Sequence, residues 1–129
     1  MNVFTSSLDF AKINNGFLVD FDELKTIHFT DYISLIQPLI DLPEELYILT
    51  IKKKFKAYYY QVQTQIFCSN LQSCNLVFLC VTNYEDDVNI FREIEESDYH
   101  KFRISRDETL INEIKEKAKI FQTIKNYFQ

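Results

Sequence analysis

Tyr58-Tyr59-Tyr60-Gln61-Val62-Gln63-Thr64-Gln65 and, shortly after it, Asn75-Leu76-Val77-Phe78-Leu79-Cys80-Val81-Thr82 are the stretches from which the fold can be read. Over residues 58–70, Tyr59, Val62 and Ile66 recur at i, i+3 and i+7, which predicts a helix with one apolar stripe. Tyr58, Gln61 and Gln65 share a second face at the same spacing. Residues 75–82 form an almost unbroken apolar run of strand length, the pattern of a central strand covered on both faces. Helix followed by buried strand is the unit around which the remaining elements are placed.

Outward from that unit, Asn14-Asn15-Gly16 is a turn signal, because Asn and Gly accept positive φ, and it feeds a strand over Phe17–Phe21. Tyr32–Ile40 reads as helical, and Pro43 marks a break. Leu46–Phe55 (LYILTIKKKF) begins as a β-prone run and ends in lysines. Tyr84–Asp87 is a polar turn, and Val88–Ile94 alternates like a neighbouring strand. Ser105 and Glu108 have the spacing of a capping box. Leu110, Ile114, Ala118, Phe121, Ile124 and Phe128 continue a helical stripe to the end, with Glu113 placed to support Lys117. The order predicts a mixed sheet with helices packed on it, an α/β or α+β single domain spanning 1–129.

Composition narrows the function. With 129 residues, 47% of them hydrophobic and 16% aromatic, the chain can bury a core of ordinary domain size. A single glycine excludes Rossmann, Walker A and nucleophile-elbow motifs, each of which needs several. The formal net charge is −5, shared by both halves, so contact with nucleic acid needs a local patch or a bound metal. Three cysteines without a CxxC pair read as buried reduced thiols. His28 and His100 lack spaced partners and read as structural or surface residues. No signal-peptide pattern or membrane-length apolar run is seen, so the expectation is an intracellular, soluble protein, with nucleus and cytoplasm undistinguished.

The run YYYQVQTQIFCSNLQSCNLVFLCV, followed by Phe91–Tyr99 and then Asp107–Phe128, resembles the later part of the lambda-type alkaline exonucleases. These form the YqaJ-like viral recombinase nuclease domain of the PD-(D/E)XK superfamily. The resemblance implies a restriction-endonuclease-like mixed sheet flanked by helices, a partial domain lacking the family's N-terminal helices. It implies hydrolysis of phosphodiester bonds in linear DNA with Mg²⁺ or Mn²⁺ as cofactor. Asp9 and Asp20 are then the metal ligands and catalytic carboxylates, since two hard oxygen donors from adjacent strands suit Mg²⁺. Gln61 is a carried-over active-site residue. Lys52, Lys53, Lys54 and Tyr58 become DNA contacts.

The family's pattern is not reproduced everywhere. Asp22 stands where a lysine would follow Asp20, and Asp22→Lys is expected to raise cleavage if that register holds. Lys25, in Glu23-Leu24-Lys25, offers an alternative E-x-K out of strand register with Asp9. Phe10 and Thr64 occupy positions where the family has glycine. Two further readings therefore stand beside an exonuclease. One is a catalytically inactive nuclease-fold module that binds DNA or protein. The other is an interaction domain in which the Tyr58–Gln65 helix meets a protein partner. Assembly as a homo-oligomer is a further implication of the resemblance.

Overall fold

The computed structural model describes residues 9–81 and 95–127. Among these residues four strands form one sheet in the order β1-β2-β3-β4. β1 (Phe10–Asn14) and β2 (Phe17–His28) make an antiparallel hairpin, β2 runs parallel to β3 (Ser73–Val81), and β3 is antiparallel to β4 (Tyr99–Ser105). The sheet is therefore mixed, and the architecture is α+β, as the sequence predicts.

The hairpin turn forms where Asn-Gly places it. Asn15 (φ 52°) and Gly16 (φ 81°) both take left-handed conformations, which Asn tolerates and Gly favours. A bulge then interrupts the ladder. Asn14 and Ile13 pair with Phe17 and Leu18, but Lys12, Ala11 and Phe10 pair with Asp20, Phe21 and Asp22, leaving Val19 as the extra residue. An unbroken ladder from this turn would set Asp9 opposite Asp22. The bulge moves it one residue on, beside Glu23.

The β2–β3 crossover is helical. Helix α1 (Phe29–Asp31) leads into a π turn (Tyr32–Ile36) and a 3₁₀ turn (Gln37–Leu39), followed by α2 (Glu44–Lys54) and α3 (Lys56–Ser69). His28 starts the run by accepting a hydrogen bond at Nδ1 from the Thr30 N–H, a structural role. The expectation of a β-prone segment over Leu46–Phe55 is overturned, since this is helix α2 and the bend after it. Pro43 stands at its N-cap, while Glu44 and Glu45 in its first turn and Lys52–Lys54 in its last are favoured by the helix dipole. These end signals outweigh the β-branched residues between them. Asn70, at φ 57°, closes α3.

Helix α4 (Glu108–Tyr127) is present, but its cap differs from the expected Ser105–Glu108 box. Asp107 Oδ1 accepts from the Leu110 N–H at 3.1 Å, while the Ser105 N–H and hydroxyl both donate to Glu44. Ile111, Ile114 and Ala118 are buried along α4, whereas Phe121 and Ile124 stay exposed. Val88–Ile94, the Tyr84–Asp87 turn, Phe128 and the first four residues of the Phe91–Tyr99 stretch lie outside the described residues.

One sheet face carries the core. Phe21 and Ile27 of β2, Cys74, Leu76 and Phe78 of β3, and Phe102 and Ile104 of β4 pack against Tyr32, Ile36, Leu39, Tyr47, Ile51, Tyr59, Val62, Ile66 and Ile111. Tyr59, Val62 and Ile66 are the predicted stripe of α3. Cys74 is buried and its thiol is pushed up to about 12 by burial, but Cys68 is exposed and Cys80 only half-buried, so the expectation of three buried thiols holds for Cys74 alone. The other sheet face bears Asp20, Asp22, Asn75, Lys101 and Arg103, linked to one another by hydrogen bonds. No described helix is long and apolar enough to cross a membrane.

Candidate active site

Strand alternation sends Phe21, Glu23, Lys25 and Ile27 to the core face, and Glu23 is the one carboxylate among them. It is only 3% exposed. A carboxylate taken that far from water has to be hydrogen-bonded and paired, or it is strongly destabilising. Helix α3 supplies the partners. Gln61 Nε2 donates to Glu23 Oε1 at 2.9 Å, and Gln65 Nε2 donates to Glu23 Oε2 at 2.9 Å. Lys25 Nζ lies 3.2 Å from Glu23 Oε1 and donates to Gln61 Oε1 at 2.8 Å. Gln61 thus bridges the acid and the base of the pair, closing a three-residue loop of polar contacts.

Tyr58 completes the lining. The Lys25 ammonium lies 4.9 Å from the centre of its ring, an attractive cation–π placement, and the ring stacks on Phe55 at 5.9 Å. The helical face read from Tyr58, Gln61 and Gln65 is therefore the face that meets Glu23 and Lys25. Asp9, at the head of β1, accepts a hydrogen bond from the Leu24 N–H at 2.8 Å, which holds the hairpin's outer strand beside the Glu23-Leu24-Lys25 segment.

The structure does not bring Asp20 to this cluster. Three positions from Glu23, Asp20 points to the opposite sheet face, where both its carboxylate oxygens accept from Arg103 NH1 at 2.9 Å. Asp22 shares that face, accepting from Asn75 Nδ2 at 2.8 Å and Lys101 Nζ at 3.0 Å. A lysine in place of Asp22 would sit against Lys101, away from Gln61, so the expected gain from Asp22→Lys is withdrawn. The mismatch between Asp9 and Lys25 disappears with the Val19 bulge, which an unbroken ladder does not contain. Glu23 and Gln65 were the residues missed as site members. Glu23 had a signal in the sequence, the Glu23-Leu24-Lys25 spacing, and Gln65 lay on the helical face marked by Tyr58 and Gln61.

Of the lysine cluster, Lys52 is already engaged. It lies 3.3 Å from Asp107 Oδ2 and 5.4 Å from the centre of the Tyr59 ring. Lys53, Lys54 and Lys56 are exposed around the α2–α3 bend. Asp107 also accepts the Tyr59 hydroxyl at 2.7 Å. Burial tends to raise the Asp107 pKa, but the hydrogen bonds from Tyr59, Leu110 and Lys52 outweigh it and hold the carboxyl below its ordinary value. The same burial, with the Asp107 bond, pushes the Tyr59 hydroxyl far up. His100 is half-buried with its ring 4.6 Å from that of Phe102, and burial lowers its pKa against the pull of Asp41.

Asp9 and Glu23 offer two hard oxygen donors from neighbouring strands. Among the described residues no group of three or more His, Cys, Asp or Glu side chains is placed to hold a metal ion. Mg²⁺ is ordinarily held by one or two carboxylates together with water and phosphate oxygens, whereas here Asp9 Oδ2 and both Glu23 oxygens already accept hydrogen bonds.

A mixed sheet with helices on its core face defines an α+β fold, and an acid–lysine pair on β2 is held by glutamines of a crossing helix. The chain is similar to the alkaline exonuclease LHK-Exo from Laribacter hongkongensis, with a TM-score of 0.51 and 24% identity over 90% of this chain and 52% of that one. A second structure, LHK-Exo in complex with dAMP, matches with a TM-score of 0.48 and 24% identity over 92% and 53% of the two chains. The chain spans about half the length of these structures, and the likeness is one of fold. No protein-family model and no curated protein matches the sequence.

Proposed function

We propose that the protein hydrolyses phosphodiester bonds of linear DNA in a metal-dependent reaction at the Glu23–Lys25–Gln61 cluster. The observation that carries this reading is the buried Glu23-x-Lys25 pair, locked by two glutamines of α3 on the core face of β2, with Asp9 beside it. Asp9 and Glu23 would hold Mg²⁺ or Mn²⁺. When bound, the metal supplies charge stabilisation at the scissile phosphate and lowers the pKa of its water.

The chain's own groups do the rest. Gln61 accepts from Lys25 and so aims the ammonium at the acid's open side, where it offsets negative charge developing on a phosphate. Gln65 fixes the second oxygen of Glu23 and keeps the carboxylate from turning inward. Lys53, Lys54 and Lys56 provide a local positive strip for a phosphate backbone on a chain whose net charge is otherwise negative.

The test is incubation of linear duplex DNA with the pure protein in Mg²⁺ or Mn²⁺. Metal-dependent loss of DNA is expected, abolished in Glu23→Ala and reduced about 10²–10³-fold in Lys25→Ala. A second reading rests on a specific observation, that both Glu23 oxygens already accept hydrogen bonds from α3. If excess protein leaves DNA intact, that closed network is structural, and the fold serves as a non-catalytic module binding DNA or protein.

A further inference from the structure

The three glutamines of α3 divide their work. Successive helical residues turn by about 100°, so Gln61 and Gln65 share one side while Gln63 projects almost opposite. Gln63 is completely buried, yet its hydrogen bonds go to neither Glu23 nor Lys25. Its Nε2 donates to the Ser105 carbonyl at 2.9 Å, and its Oε1 accepts from the Asp107 N–H at 2.9 Å. One side-chain amide thus pairs with two backbone groups at the junction between β4 and α4.

That junction is itself anchored. The Ser105 N–H and hydroxyl donate to Glu44 of α2, the Tyr47 hydroxyl donates to the Arg103 carbonyl, and the Arg106 N–H donates to the Gln72 carbonyl. One helical turn before Gln63, Tyr59 donates to Asp107. An apolar side chain of similar volume would fill the same space but leave the Ser105 carbonyl and the Asp107 N–H without this partner. What the amide adds is position. Moving α3 by one residue's rise, about 1.5 Å, would stretch hydrogen bonds of 2.9 Å beyond a useful length on both sides of the helix at once.

We propose that Gln63 is a positioning residue, pinning α3 to the β4–α4 junction so that Gln61 and Gln65 meet Glu23 and Lys25 in one register. This rests on the nuclease reading for its consequence in catalysis, but not for the coupling itself. The test uses the full chain without metal or DNA. The side-chain amide signals of Gln61 and Gln65 are followed by ¹H–¹⁵N NMR in wild type, in Gln63→Met, and in Ile66→Val as a core control on the same helix. Both amides are expected to shift and exchange faster with water in Gln63→Met and to stay in place in Ile66→Val. Amides unmoved in Gln63→Met, or moved equally in Ile66→Val, overturn the proposal. Should Gln63→Met fail to fold, Gln63→Glu, which keeps an oxygen for the Asp107 N–H but loses the donor to the Ser105 carbonyl, is read by the same two outcomes. In cleavage assays Gln63→Met should lower kcat about tenfold to a hundredfold with KM within about twofold, the signature of misplaced rather than missing groups. If wild type cleaves no DNA the nuclease reading fails, and the amide signals still decide the positioning role.

Discussion

Asp20 and Glu23 belong to one strand, and the odd spacing between them separates their surroundings completely. Asp20, its side chain 26% exposed, pairs with Arg103, whose side chain is 44% exposed, and such a pair is worth at most about 1 kcal/mol. Asp20→Asn should therefore lower stability in urea by no more than about 1 kcal/mol and leave DNA cleavage within about twofold of wild type. A large loss of cleavage in that variant would return Asp20 to the site. Glu23 is the opposite case, because removing one member of a buried charged pair costs about 3–5 kcal/mol. Asp107 adds a pH dependence whose direction can be worked out. Its pKa is lower in the folded chain than in the unfolded one, so the unfolded state binds the proton more readily as pH falls. Its stabilisation is complete above the ordinary aspartate range near pH 4 and is lost as pH drops through the folded value. Acid unfolding followed by circular dichroism should show a shallower dependence below about pH 4 in Asp107→Asn than in wild type.

At the level of elements, legibility followed how local each signal was. The Asn15-Gly16 turn, the α3 stripe and the apolar β3 run depend on neighbours in sequence, and each forms where its residues predict. Helix α2 was hidden because Ile48, Thr50 and Ile51 favour strands, while the signals that decide it sit at its two ends. The α4 cap was misplaced because Ser105 has a competing partner, Glu44, far away in sequence. The site register was not legible at all from an alternating pattern. One bulged residue, Val19, decides which acid lies beside Asp9, and nothing local marks it. The hairpin gives its own test. At Gly16 a Cβ would meet no atom within 4 Å, so the cost of a side chain there comes from the backbone angle alone. Gly16→Ala should lower unfolding free energy by about 1–2 kcal/mol, measured by urea denaturation. No loss would mean the turn relaxes, and with it the hairpin that holds Asp9.

For the whole molecule, the proposed function makes charge distribution the control on how DNA would approach. With a net charge of −5, the chain as a whole repels a polyanion, and any affinity must come from the few cations that are both exposed and uncommitted. Lys101 and Arg103 are tied to Asp22 and Asp20 on the open sheet face, and Lys52 is tied to Asp107. Among the described residues Lys12, Lys125, Lys53, Lys54 and Lys56 remain, and the last three form a strip near the α2–α3 bend, at the start of the helix that brings Gln61 to Glu23. Binding through about three such contacts predicts a slope near −2.7 in a plot of log affinity against log salt concentration, since each neutralised phosphate contributes about −0.9. Fluorescence anisotropy of a labelled duplex in EDTA, where cleavage cannot proceed, measures this slope directly. Changing all three lysines to glutamine should flatten it toward zero and weaken binding at low salt, while the Glu23–Lys25 pair is left intact. A slope that survives the triple change would move the DNA path off this strip and onto another surface, and the orientation of the duplex relative to Glu23 would have to be drawn anew.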